Sequence, residues 1–378
     1  MIYTVKLYDT PLLRFEVLEN LADPVVHIIW IDESQKHLLP LDMEPSESGL
    51  SRWLRHRSIP QNRAFVNAFL ARCGLSANRP VDVISVCKGL SLNDSYWVCD
   101  ENETKTFDQV NLYENRFSNV LASIAFTGYG SSVRSSFASS PEFTTNGMLP
   151  KCWRRISGKI YLYKGGTSGA SNAGYEPYSE KYAYLVGKQL GFDVIPYRIA
   201  RWKGNLCSSC EIFTDKNTAY IPIGRIIRTG GMKAIRQYYE TLGEAFIRSL
   251  NEMIVFDALI CNTDRHFGNF GVLVDSHTNR IVKPAPLFDH GNALFNFAGN
   301  EYWQSEEKLD EYASTLLPCV YEDFFREGRN AMDARIAQKV RKALNFCFED
   351  EGRTRYPAKW LRLMEKQIQK RASLLLKE

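Results

Sequence analysis

Short apolar-alternating stretches open the chain. Ile2–Tyr8, Leu13–Leu18 and Val25–Ile31 are rich in β-branched and aromatic residues and are broken by Asp, Pro and Asn, which predicts a small sheet. Arg63–Cys73 follows Pro60 and places Phe65, Phe69 and Leu70 near one helical face before Gly74, so a helix is expected there. A further short strand is expected over Ser95–Cys99. From Thr127 to Asn146 the pattern lapses: glycines and serines leave little apolar surface to bury, and a flexible loop is expected. Beyond it, Met148–Arg155 and Lys159–Lys164 alternate as a hairpin turning at Ser157-Gly158. Pro177 is placed to start a helix over Tyr178–Leu190 that Gly191 stops, and Val194–Ala200 and Cys210–Thr214 read as strands. The second half is helical over Ala234–Thr241, Glu244–Cys261, Asp333–Phe346 and Lys359–Leu376, interrupted by strands at Gly271–Asp275 and Ile281–Phe288.

These elements divide into an α+β module over 1–125, a Ser-rich loop over 126–146, a strand-rich lobe over 147–215 and a helical lobe over 216–378. A small strand-rich lobe followed by a larger helical one is the order of a bilobal kinase. Composition narrows the field by exclusion. With 44% apolar and 24% charged residues in 378, the chain is an ordinary globular sequence with room for two or three cores. A formal charge of +4 is too weak and dispersed to argue for direct nucleic-acid binding. No run of 18 apolar residues exists to span a membrane, and the first residues lack a secretory signature. Nine cysteines, an odd count in apolar or mixed contexts, fit free thiols in a reducing cytoplasm. The Cys207-x-x-Cys210 pair has no second pair beside it, which disfavours zinc or redox work. His27, His37 and His56 are isolated and read as surface or core histidines.

The chemistry concentrates in one run, Asn262-Thr263-Asp264-Arg265-His266-Phe267-Gly268-Asn269, followed by Asp289-His290-Gly291. Phosphoryl transfer from ATP needs one carboxylate to orient or deprotonate the attacking hydroxyl, and an amide and a second carboxylate to hold magnesium on the phosphates. Asp264, Asn269 and Asp289 supply that set, and Lys164 at a strand end is placed where a phosphate-pairing lysine would sit. Taken singly, Asp264 and Asn269 also fit turn chemistry, and Lys164 fits a solvated strand end. Arg265 and His266 read as supports of the loop: an arginine beside a catalytic carboxylate can pair with it, and a histidine in a tight turn usually satisfies a carbonyl. His290 reads as positional.

Asp264-Arg265-His266-x-x-Asn269 with Asp289-x-Gly291 resembles the catalytic and metal loops shared by HipA-like kinases and phosphoinositide lipid kinases. The wider runs Phe256–Asn269 and Ala285–Asp289 are more similar to the HipA-like group, over about residues 145–345. The resemblance implies a bilobal protein-kinase-like fold and ATP- and Mg2+-dependent phosphorylation of serine or threonine in a protein substrate. Position by position, it implies Asp264 as the catalytic aspartate, Asn269 and Asp289 as magnesium ligands and Lys164 as the lysine on the phosphates. It also implies Glu180 as that lysine's acidic partner, with Glu176 as the competing choice. In toxin–antitoxin pairs the N-terminal region helps to hold a DNA-binding antitoxin, so the resemblance carries a small DNA-binding antitoxin as an expected partner.

Ahead of Lys164 no Gly-x-Gly-x-x-Gly occurs; Ser140–Gly147 occupies that place, with Asn146 and Gly147 as candidate phosphate-binding positions. In the family this loop can be phosphorylated on serine, which ejects it. Ser135, Ser136, Ser139 and Ser140 are the candidates for such autophosphorylation here, although linker composition explains them equally well. Two other functions fit part of the pattern. A lipid or small-molecule kinase shares the Asp-Arg-His-x-x-Asn core, but no convincing lysine cluster for anionic headgroups is present. A nucleotide-binding regulator without turnover would have no need of Asp264.

Overall fold

The computed structural model describes residues 1–131, 140–170, 172–349 and 356–377. The first strands, β1 (Ile2–Leu7), β2 (Thr10–Glu19), β3 (Val25–Ile31) and β4 (Tyr96–Asp100), form an antiparallel sheet in the order β3-β2-β1-β4. Alternation decides its faces: Tyr3, Val5 and Leu7 turn inward with Leu13 and Phe15, while the residues between them face outward. Helices Glu47–Arg55 and Pro80–Cys87 contribute Leu50, Trp53, Val81 and Ile84 to the same core. Both helices went unread in the sequence because they are short and flanked by polar loops.

A second antiparallel sheet joins β5 (Lys151–Ile156), β6 (Lys159–Gly165), β7 (Tyr197–Trp202) and β8 (Asn205–Glu211) in the order β5-β6-β8-β7. The hairpin turns where expected, at Ser157 and Gly158, both with positive φ as a two-residue turn requires. Helix Glu176–Leu190 starts with Pro177 in its first turn and stops at Gly191, whose φ of 84° lets its N–H return to the Gly187 carbonyl. β7 and β8 are displaced from the expected strands, since Val194 makes only an isolated bridge to Leu287 and pairing begins at Tyr197.

The third sheet, in the order β11-β10-β9, contains β9 (Thr218–Pro222), β10 (Gly271–Asp275) and β11 (Arg280–Pro284). β11 ends four residues earlier than its apolar pattern suggests. Pro284 and Pro286 lack N–H groups to continue the ladder, so Ala285–Phe288 leaves the sheet and delivers Asp289 to the cleft. Beneath lies helix Glu244–Ile260, whose residues Met253–Ile260 are all buried and, apart from Asp257, belong to the largest core cluster. Helices Ala334–Lys342 and Ala358–Leu376 pack into that cluster through Ile336, Val340, Met364 and Ile368. Among the described residues, no helix is long and apolar enough to cross a membrane.

The segment expected to be a flexible loop differs at both ends. Helix Asn119–Thr127 runs into its start, and Ser140–Thr144 is buried at its end, with Phe143 fully enclosed and its ring 4.9 Å from that of Phe69. Ser135, Ser136 and Ser139 lie outside the described residues. Ser140 does not: its hydroxyl is buried and donates to Glu142.

Candidate active site

A buried ion pair sets the loop that carries Asp264. Helix Glu244–Ile260 ends at Cys261, whose φ of 52° turns the chain sharply into Asn262. Asp257, near the helix end and fully buried, accepts from Arg265 Nε at 2.9 Å and Nη2 at 3.0 Å, and from Asn262 Nδ2 at 2.9 Å. The remaining guanidinium nitrogen, Nη1, donates to the carbonyls of Asn269 at 2.9 Å and Phe288 at 2.7 Å. One cation thus ties the helix, the loop and the segment leading to Asp289 into a rigid unit. The sequence pattern pairs Arg265 with the adjacent Asp264; its carboxylate partner is Asp257. His266 also differs: its Nδ1 accepts from the Gly268 N–H at 3.0 Å rather than satisfying a carbonyl.

Asp264 is half-buried at the tip of this unit. Its backbone carbonyl accepts from Asn269 Nδ2 at 3.1 Å, and its carboxylate accepts from Asn292 Nδ2 at 3.0 Å. Burial raises the Asp264 pKa above the ordinary aspartate value, and the negative charge of Asp289 adds to the rise against opposing pulls from His266, Asn292 and Lys164.

Lys164, buried near the end of β6, donates to Glu180 Oε1 at 2.9 Å and also to Asp289 Oδ1. Glu180 is itself fixed, since its second oxygen accepts the His290 N–H at 2.8 Å. Burial alone would strip the lysine of its proton, but Asp289 and Glu180 overcome that and hold its pKa above the usual range. For Asp289, burial likewise works against the charged form, and Lys164 prevails, keeping the carboxyl well below the ordinary range. Glu176 does not reach the lysine; its Oε1 accepts the Thr167 N–H at 3.0 Å and braces the loop after β6. His290 is buried with no hydrogen-bond partner for its ring nitrogens among the described residues, and its ring meets Phe256 edge-on at 5.4 Å. Burial, then the charge of Arg265, keeps that ring neutral.

Lys164, His266, Asn269 and Asp289 line a cavity of about 600 Å³. Leu162, Ile195, Phe213 and Phe288 pack in one cluster, with Tyr220 against Phe213 and Phe288, and line it as an apolar slot. Its polar lining includes Lys151, Lys164, Asn269 and Asp289, together with Asn146 and Gly147. Asp264 is not among the residues that line the cavity.

Three contributors escaped the sequence reading. Lys151 pairs in register with Lys164, is 6% exposed, and has no acidic partner at hydrogen-bond distance among the described residues. Burial and the charge of Lys164 lower its pKa to about 7. Gly147, at φ 91°, closes over it so tightly that a Cβ there would stand 2.2 Å from Lys151 Nζ. Asn292 and Asp257 were missed as well, and only the odd placement of Asp257 inside an apolar helical run could have drawn attention.

The donor set suits a hard divalent cation. Asn269 spends its amide nitrogen on the Asp264 carbonyl, so its amide oxygen is the atom left for a metal, and the Asp289 carboxylate is ionised beside it. Cys207 and Cys210 form no site. Three apart on β8 they fall on opposite faces in different core clusters, and burial pushes their thiols up to about 11 and about 12.

No protein-family model matches the chain, and no curated protein matches it. Solved structures do. One is the Helicobacter pylori proinflammatory kinase CtkA, with 16% identity and a TM-score of 0.48 over 61% of this chain and 89% of that one. Another is HipA of Shewanella oneidensis, determined as a toxin–antitoxin complex with HipB and operator DNA. It is 12% identical, with a TM-score of 0.57 over 98% of this chain and 96% of that one. The likeness to HipA spans nearly the whole chain at an identity too low to speak for anything but architecture, and it shows that this chain has the HipA-like kinase fold.

Proposed function

We propose that the chain is an ATP- and Mg2+-dependent serine/threonine protein kinase. The observation that carries the reading is the placement of Lys164 between Glu180 and Asp289 in the wall of a cavity that is also lined by an apolar slot. A planar base fits the slot, and a polyphosphate fits the lysine-lined wall. Lys164 would exchange its contact with Asp289 for phosphate oxygens, freeing Asp289 to join Asn269 around magnesium. The cation supplies charge neutralisation on the phosphates when bound. Asp264, held by Asn292 and the Asn269 turn, would orient the acceptor hydroxyl and receive its proton as the oxygen–phosphorus bond forms and the bond to the β-phosphate oxygen breaks. Nucleotide would thus lie between the 147–215 and 216–378 lobes, with the acceptor entering from the Asp264 side.

The toxin role and its partner belong to the same proposal. HipA of the compared complex is bound to HipB on operator DNA, which supports a small DNA-binding protein as this chain's partner and a cytoplasmic place of action. The test is incubation with γ-labelled ATP and Mg2+, followed by mass spectrometry. The wild type is expected to transfer label to serine or threonine, and Asp264→Ala to be slower by about 10²–10⁴. Equal transfer by Asp264→Ala, or by Asp289→Ala, removes the assigned roles.

A further inference from the structure

The loop that brings Asn146 and Gly147 to the cavity is held from outside its own lobe. Arg63 lies 79 to 88 residues before its acceptors, just ahead of helix Val66–Arg72, and is 2% exposed. Its guanidinium meets carbonyls in place of carboxylates. Nη1 donates to Glu142 O at 2.6 Å and Thr145 O at 3.3 Å, and Nη2 donates to Lys151 O at 2.7 Å. The three acceptors bracket the whole stretch from Glu142 to Lys151. Its middle is held from the same place, because the Ala64 N–H donates to Met148 O at 2.7 Å. Thr144 Oγ1 donates to Leu90 O at 2.8 Å, and Phe143 packs on Phe69.

A buried cation whose hydrogen bonds go to neutral carbonyls is expensive to desolvate; burial draws the Arg63 pKa down to about 10 against the opposing pull of the Glu142 carboxylate. Such a group returns geometry: a planar fork holds three carbonyls in fixed directions, whereas the three donors of an ammonium rotate about a flexible stem. What it fixes is the segment bearing Thr144, Thr145, Asn146, Gly147 and Lys151, all of which line the cavity.

We infer that Arg63 is a positioning residue for nucleotide phosphates, which makes the N-terminal region a working part of the nucleotide site. Arg63 acts through the loop and Lys151 and touches no ligand itself. The inference rests on the kinase reading for the identity of the ligand, while the clamp on the loop stands apart from it.

The test uses the full chain as wild type, Arg63→Lys and the milder Thr144→Val, which keeps side-chain shape and removes the bond to Leu90. Hydrogen exchange of the amides from 142 to 151 is measured without ligand, and binding of ATP·Mg2+ and of adenosine is measured by calorimetry. Both variants are expected to exchange faster over that stretch alone, and to bind ATP roughly tenfold more weakly while adenosine affinity stays within about twofold. Unchanged exchange in the folded variants overturns the clamp. Faster exchange with unaltered ATP affinity overturns its role in phosphate binding. A wild type that binds no ATP overturns the nucleotide part of the inference together with the kinase reading, while exchange still decides the clamp.

Discussion

Replacing Lys151 by methionine should make the protein more stable and a worse ATP binder. The folded chain buries this ammonium beside Lys164, and burial followed by that like charge brings its pKa to about 7. An unfolded lysine keeps its proton to about pH 10.4, so the gap corresponds to roughly 3–5 kcal/mol of destabilisation at neutral pH. The sign follows from proton counts. Between pH 7 and about 10.4 the unfolded chain binds more protons at this group, so its cost is full below 7 and shrinks as pH rises. Methionine fills similar volume without charge and removes both the cost and its pH dependence. Urea unfolding of wild type and Lys151→Met, compared at pH 7 and pH 9, isolates the effect, because the other titrating groups are common to both. The variant is expected to be about 2–4 kcal/mol more stable at pH 7 and to hold a smaller advantage at pH 9. Phosphate oxygens would restore the lysine's proton, so ATP affinity should fall at least about tenfold in the variant. A variant that is less stable at pH 7, with ATP affinity intact, refutes the reasoning.

Other consequences can be checked separately. Because Asp264 must be ionised to accept a proton and its pKa in the free chain is raised by burial, the acid limb of the kcat/KM profile should have its midpoint above about pH 4, the ordinary aspartate value. A rate that stays flat down to pH 4 excludes Asp264 as the group responsible. Asp257→Ala strands the Arg265 cation in the core and should cost roughly 3–5 kcal/mol by thermal or urea unfolding. Asp257→Leu combined with Arg265→Met should recover much of that stability without recovering phosphotransfer, since the bonds to Asn269 and Phe288 stay lost. Gly147→Ala places a methyl against Lys151 Nζ at a backbone angle that side chains rarely adopt. ATP binding by calorimetry should weaken several-fold while the melting temperature stays within a few degrees of wild type.

The parts of the site that could be read from the chain share a property: their partners are near in sequence or their residue types are chemically unusual for the spot. Asp264 and Asn269 share one turn, and Asp289 follows a strand end that two prolines terminate. Lys164 and Glu180 are separated only by a loop and the first turns of one helix. Arg63 and Lys151 have neither advantage. Arg63 is one of many arginines, and its three acceptors are main-chain oxygens that any sequence would supply. Lys151 alternates in a strand as an ordinary solvated lysine would, and only its pairing opposite Lys164 puts it indoors. The buried end of the serine-rich segment was not legible for the same reason. Composition reports how much apolar surface a loop can bury, but Ser140–Thr144 is held by hydrogen bonds from Arg63 and to Leu90, which composition does not record. One boundary of legibility is therefore the backbone: where a side chain recognises carbonyls brought from afar, as Arg63 does, its type says nothing of the contact and only the folded chain reveals it.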